Sequence, residues 1–291
     1  MAALLALVSA ICFGVSDFSG GLAARRVAAT AIVLVTNSLA LVLALLAVGL
    51  LPGSTYRAGD MAWGAAGGSI GLLGVVLLYR GLAVGPMSVV APLTAVLSAA
   101  VPVAVGMLRG ERPGTIALAG LAVAVPAMVL IGREPAKPRA REGVAAATTR
   151  LSRGALVSAL CAGLSFGGFY VLMAQTGPDG GAWPLVAQRA ASVVILLALA
   201  AVALARRKLP PPPRGRLLGL AVIAGLTDFV ANLAYLLATH RGLLALVAVI
   251  SSLYPATTLL LARGWLKERL ARQQSAGLLL AAVATALIAL R

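Results

Sequence analysis

Two carboxylates stand where a chain of this kind has little reason to keep them. Asp17 lies in Phe13-Gly14-Val15-Ser16-Asp17-Phe18 and Asp228 in Gly225-Leu226-Thr227-Asp228-Phe229, each inside a long apolar run. A central Asp costs about 2.5–3.5 kcal/mol on membrane-insertion scales, so such a residue is expected to have a use. Desolvated carboxyls exchange protons nearer neutral pH than exposed ones and attract cations. Asp17 and Asp228 are therefore candidates for binding a proton or a cationic solute, with helix packing through a neighbouring hydroxyl as the plainer alternative. The apolar runs also hold Asn37, Gln188, Arg189 and Asn232. These four are candidate polar contacts of the same cavity; Arg189 is equally able to pair with an Asp, meet a substrate carboxylate or snorkel to the interface. Tyr254 is a candidate cavity-lining residue.

Pro92 and Pro255 fall in the fourth and ninth apolar runs, corresponding segments of two halves. Interrupted helices in matched positions free backbone groups for a ligand, although a packing kink would leave the same mark. Gly64-xxx-Gly68, Gly67-xxx-Gly71 and Gly163-xxx-Gly167 allow close helix approach within the bundle. Glu111 and Glu268, just before the fifth and tenth runs, suit the N-terminal dipoles of those helices.

The elements that position these residues follow from composition. The 291 residues are 61% hydrophobic and 11% charged, with a mean hydropathy of +1.01. Soluble domains run near 45–50% apolar and about 25% charged, which excludes a secreted, cytosolic or nuclear protein. Ten runs of membrane-spanning length occur, at about 3–23, 29–51, 60–82, 86–108, 114–132, 153–175, 183–205, 217–239, 242–263 and 272–290. Lipid offers no partner to backbone amides, so the expected class is all-α, a polytopic membrane protein. The first run is not expected to be a removable signal peptide, because it lacks a basic leader and carries Asp17.

The chain also repeats itself. Ala6-Leu7-Val8-Ser9-Ala10-Ile11-Cys12-Phe13-Gly14-Val15-Ser16 matches residues 155–165 at eight of eleven positions. Asn37 aligns with Gln188, and Gly110-Glu111-Arg112 answers Lys267-Glu268-Arg269. The expected organisation is ten transmembrane helices as two five-helix repeats, residues 1–132 and 153–291, joined by a polar linker at 133–152. Five spans per half is an odd number, so the halves must be inverted, which is a transporter pattern suited to alternating access.

The formal charge of +16 follows topology and implies no nucleic acid. Of the 24 Lys and Arg, 18 lie in loops after odd-numbered spans and 5 in the others, with Arg189 inside a span. The positive-inside rule then puts the linker in the cytoplasm and both termini outside. Cys12 and Cys161 sit in apolar runs, so no disulfide framework is expected. No metal site, catalytic residue or cofactor is indicated.

On these residues the chain resembles the EamA branch of the drug/metabolite transporter superfamily. The likeness is carried by the five-plus-five helices, Phe13-Gly14-Val15-Ser16-Asp17-Phe18, Tyr79-Arg80-Gly81-Leu82-Ala83, and Leu253-Tyr254-Pro255 thirteen residues before Glu268. Phe13 stands where the family has a Trp, and Ser98 where the first half would have its Pro. The resemblance implies a secondary transporter of the bacterial cytoplasmic (plasma) membrane, exporting an amino acid, metabolite or drug, with protons as the candidate coupling ion. Its partners would be that solute and the bilayer, with the protein a monomer or homodimer. A passive facilitator or channel of the same fold is the alternative. An intramembrane aspartyl protease is a third class, disfavoured because neither Asp sits in a Gly-x-Gly-Asp segment.

Overall fold

The computed structural model describes residues 1–24, 26–50, 54–84, 87–131, 153–207, 211–266 and 272–289, with side-chain surroundings omitted at 79–92, 259, 262–263, 266 and 289. The expected linker at 133–152 and the Lys267-Glu268-Arg269 segment lie outside the described residues.

Among the described residues the chain is all-α. The helices are α1 Ala2–Ala24, α2 Ala29–Leu50, α3 Ala58–Val84, α4 Met87–Leu108, α5 Thr115–Ile131, α6 Arg153–Met173, α7 Trp183–Ala205, α8 Arg216–Thr239, α9 Leu244–Ser251, α10 Tyr254–Leu266 and α11 Arg272–Ala289. Six of them (α1, α2, α3, α6, α7 and α8) contain stretches long and apolar enough to cross a bilayer. Of the others, α5, α9, α10 and α11 are shorter, and the ninth apolar run is not one helix. It divides at Ser252–Leu253 into α9 and α10, with Pro255 in the first turn of α10, where a missing N–H costs nothing. Pro92 falls in α4, where its surroundings lie outside the described residues.

The dominant packing joins the first half of the chain to the second. α1 packs on α8, α3 on α6 and α7, α2 on α7 and α8, α4 on α6 and α9, α1 on α9 and α10, and α5 on α11. Helices within one half touch far less. The halves are thus interleaved in one body, not set side by side. Exchanging α1–α5 for α6–α11, with α9 and α10 together answering α4, carries this scheme onto itself. The pair α1/α8 becomes α6/α3, and α2/α8 becomes α7/α3, while α2/α7, α4/α9 and α5/α11 map onto themselves.

Small residues make the interleaving possible. Gly64 and Gly68 of α3 bring that helix against the carbonyls of Pro184 and Gln188 in α7, so that a Cβ at either glycine would strike backbone. Gly163 and Gly167 of α6 leave room for the side chains of Leu97 and Val101 of α4, and Gly163 also lies against the Thr94 carbonyl. Backbone approach of this kind gains dispersion contact where no hydrophobic effect separates helix from lipid. The main core cluster includes Tyr170, Met173, Tyr235, Leu236, Leu246 and Ile250. These residues come from the C-terminal ends of α6 and α8 and from α9, and the same cluster extends to Met128 and Ile131 of α5 and Ala281 and Ala284 of α11.

Candidate functional site

Residues 188 and 189 are adjacent on α7 and so point about 100° apart, which lets them reach different helices. Arg189 Nη2 lies 2.5 Å from Asp228 Oδ2 on α8, and Arg189 Nη1 donates to Asn37 Oδ1 on α2 at 3.0 Å. Gln188 Nε2 donates to Asn232 Oδ1 at 3.0 Å. Asp228 and Asn232 are one turn apart on α8, and Asn232 Nδ2 donates to the Asp228 carbonyl at 2.8 Å and to its carboxylate at 3.3 Å. Asn37 Nδ2 in turn donates to Val33 O at 2.8 Å. Five of the residues singled out in the sequence therefore form one polar chain across α2, α7 and α8.

Asn37, Gln188, Arg189 and Asn232 are buried. The Asp228 side chain keeps 21% of its surface exposed, against 8% for Arg189, so Asp228 is the member that faces an opening. Burying charges is tolerable here because each is paired and hydrogen-bonded. Beyond Arg189 Nη2, which is ion-paired to Asp228, two groups remain over: Gln188 Oε1 and Arg189 Nε have no hydrogen-bond partner among the described residues. One is an acceptor and one a donor, which suits a small polar ligand or a bridging water.

Asp17 approaches from α1. Leu4, Leu7 and Ile11 are exposed on that helix and mark its outward stripe, whereas Asp17 lies about 220° round the helix from Leu4. Its own face runs through Ala6, Ala10 and Phe13 at four- and three-residue steps. Ala6 and Ala10 are fully packed, yet Asp17 is exposed. Exposure on an otherwise inward face means that a crevice opens beside the C-terminal part of α1. Asp17 is in electrostatic range of Asp228, Tyr170 and Tyr254, which draws the α1 and α8 carboxylates into one region.

The break in the ninth run shapes this crevice. A Cβ on Gly14 would meet the side chain of Thr257 and the Tyr254 carbonyl, so α1 lies directly against the start of α10. Thr258 Oγ1 donates to Gly14 O at 3.2 Å, and the rings of Phe13 and Tyr254 meet edge-on with centroids 6.4 Å apart. Deeper in, Ser98 Oγ and Ser252 Oγ are 3.4 Å apart in a buried contact between α4 and the break. The rings of Tyr170 and Tyr235 pack at 4.6 Å, and the Tyr235 hydroxyl donates to Tyr170 O at 3.0 Å.

At the end of the bundle where α6 and α8 finish, four inter-helix connections are tied together. Glu111, after α4, accepts from Leu244 N at 2.6 Å and Ala245 N at 3.0 Å. The expectation that this carboxylate caps α5 is corrected: it reaches the other half and caps the first turn of α9. Gly106 makes room for it, since a Cβ there would strike the Glu111 carboxylate, and Gly110, at φ +87°, makes the turn that presents it. Asp60, at the start of α3, accepts from Gly177 N at 2.9 Å, Arg57 pairs with Asp179 at 2.6 Å, and Arg109 donates to Gln175 Oε1 at 2.7 Å. His240, after α8, donates through Nε2 to Thr176 O at 2.8 Å. Burial holds this imidazole below its ordinary pKa, partly offset by the Thr176 carbonyl and by Asp60, so the neutral donor form is favoured at neutral pH.

Sequence reasoning missed Tyr170, Ser252 and the latching role of Glu111. Tyr170 and Ser252 carry no charge to set them apart in apolar runs, and the Glu111 contact is to a segment 133 residues away. Among the described residues no three His, Cys, Asp or Glu side chains stand close enough to hold a metal ion.

Residues 153–290 match the EamA-like transporter family. A solved crystal structure of a protein shares the fold, with a TM-score of 0.72 at 18% identity over 98% of this chain and 95% of that one; identity so low carries the architecture alone. No curated protein matches the chain.

Proposed function

Residues 153–290 match the EamA-like transporter family, and from that premise we propose that the protein is a membrane transporter of this family, a secondary exporter of a small organic solute working by alternating access. Residues 1–132 and 153–291 act as inverted five-span halves about the 133–152 linker, with α9 and α10 together forming one span. The helix pairing that maps onto itself when the halves are exchanged supports this reading. The protein works in the plasma membrane.

The observation that carries the proposal is the contrast between the two ends. At one end Glu111, Asp60, Arg57, Arg109 and His240 tie the connections shut. Below them the side chains of Asp17 and Asp228 keep exposed surface, which in this reading lines a crevice open towards the other end. A polar pocket reached from one side only is one of the two states that alternating access requires. In this reading Asp17 and Asp228 take protons or the solute's charge, and Asn37, Gln188, Arg189 and Asn232 hold Asp228 and line the pocket. Tyr254 forms its wall, and the helix break beside it lies at Ser252–Leu253, just before Pro255, whereas α4 runs unbroken through Pro92.

Counterflow in proteoliposomes tests the mechanism. Protein preloaded with unlabelled solute from a mixed pool of amino acids and amines is expected to accelerate entry of the labelled compound, with saturation. Flux without exchange acceleration or saturation would identify a passive channel of the same fold instead.

A further inference from the structure

The pocket's charges do not cancel, and the remainder specifies what enters it. Asp228 is matched by Arg189 at 2.5 Å, and the other Nη of Arg189 is committed to Asn37. Asp17 has no hydrogen bond or ion pair to any described residue, although it is exposed on an inward face of α1. One uncompensated carboxylate therefore stands in the crevice. Beside it the rings of Phe13 and Tyr254 form an edge-on pair at 6.4 Å, and the Tyr170 and Tyr254 side chains are within electrostatic range of Asp17.

We propose that Asp17 and the Phe13–Tyr254 ring pair form a subsite for an organic monocation, its ammonium head on the carboxylate and its apolar body against the rings. A lone carboxylate flanked by aromatic rings attracts a cation and repels an anion. Aromatic faces add cation–π attraction and cover hydrocarbon. An anionic solute would have to displace Asp228 from Arg189, leaving a buried carboxylate unpaired, which is costly. A polyhydroxylated neutral solute finds few free polar partners, since the network around Asn37 and Asn232 is largely satisfied internally. The subsite supplies the substrate class for the transporter reading above and rests on it for its role in transport; binding itself does not depend on that reading.

Three compounds sharing one aryl body separate the charge states: phenethylamine, 3-phenylpropanol and 3-phenylpropionate. Binding of tritiated phenethylamine to the purified full-length protein in detergent, with the other two as competitors, is the measurement. The amine is expected to bind saturably and to be displaced poorly by the alcohol and the acid. Asp17→Asn is expected to weaken binding at least about tenfold, Asp17→Glu to retain most of it, and Phe13→Leu to weaken it about threefold to tenfold. Equal competition by the alcohol or the acid, no amine binding, or an Asp17→Asn variant that binds normally would overturn the proposal. Should Asp17→Asn not elute as a single folded species, the competitor ranking on the unmodified protein and Phe13→Leu still decide. Amine binding without counterflow would keep the subsite and remove the transporter reading. Counterflow of other solutes without amine binding would do the reverse.

Discussion

Arg189 and Asp228 are joined across α7 and α8 by an ion pair of 2.5 Å in which the arginine is almost wholly buried and the aspartate keeps a fifth of its surface open. Removing one partner strands the other. Asp228→Asn is expected to cost about 3–5 kcal/mol, as for other broken buried pairs, so loss of transport in that variant alone would be ambiguous. Replacing both residues, as Arg189→Met with Asp228→Asn, is expected to recover most of the thermal stability in detergent while transport stays absent. A double variant no more stable than Asp228→Asn would contradict the pairing.

Gly68 sits against the carbonyl of Gln188, one residue from Arg189, and Ser192 Oγ donates to both the Gly68 and the Gln188 carbonyls at 3.1 Å. Gly68→Ala must push α3 and α7 apart at the level of the polar network. Overpacking of this kind costs about 1–3 kcal/mol. The variant should melt earlier and lose solute affinity, whereas Gly219→Ala, at a position with open space around it, should change neither. Normal affinity in Gly68→Ala would show that the network tolerates displacement of α7.

Glu111 ties the closed end by capping α9, and Gly106 leaves the space for its carboxylate. Loss of a helix cap costs about 0.5–2 kcal/mol, enough to shift an equilibrium between two transporter states severalfold. Glu111→Gln and Gly106→Ala should therefore both raise the rate at which a maleimide labels Ser252→Cys, a position fully buried behind this end. Arg57→Ala should have little effect there, because its ion pair to Asp179 is more than half exposed on both sides and such pairs contribute little. Unchanged labelling in the two latch variants would mean that the cap does not hold this end closed.

His240 supplies the pH dependence outside the spanning segments. Its imidazole is held below the ordinary value of 6.5 chiefly by burial. The folded state therefore binds the proton less readily than the unfolded state, and stability rises with pH through the interval between the two values. The contribution of neutral His240 is complete above about pH 6.5 and declines as pH falls towards the folded-state value. Melting temperature should accordingly drop between pH 7.5 and pH 5.5, and the drop should be smaller in His240→Gln. Parallel curves for the two proteins would assign the acid sensitivity elsewhere.

Helical class and approximate boundaries were legible in the sequence because the membrane leaves so few alternatives. Isolated polar residues in apolar runs stand out for the same reason, and Asn37, Gln188, Arg189, Asp228 and Asn232 do meet in space. Their pairing was not legible: Arg189 was open to an Asp, a substrate carboxylate or the interface, and only the crossing of α2, α7 and α8 chooses among them. Pro255 signalled an irregularity, but the division falls two residues earlier, at Ser252–Leu253, since proline is comfortable inside a first helical turn. The destination of Glu111 was hidden by sequence distance, because the cap it forms belongs to the other half. Interleaving of the halves was hidden likewise, for a repeat specifies two similar units without saying whether they stand apart or intertwine.

The joint at Ser252–Leu253 gives one stretch of chain two allegiances. α9 is held by Glu111 at the end where α6 and α8 finish, while α10 leans on Gly14 and carries the Tyr254 ring beside Phe13. A swivel at those two residues would let the lower segment travel with α1 while the upper one stays docked, so the passage can change its shape without any helix having to unwind.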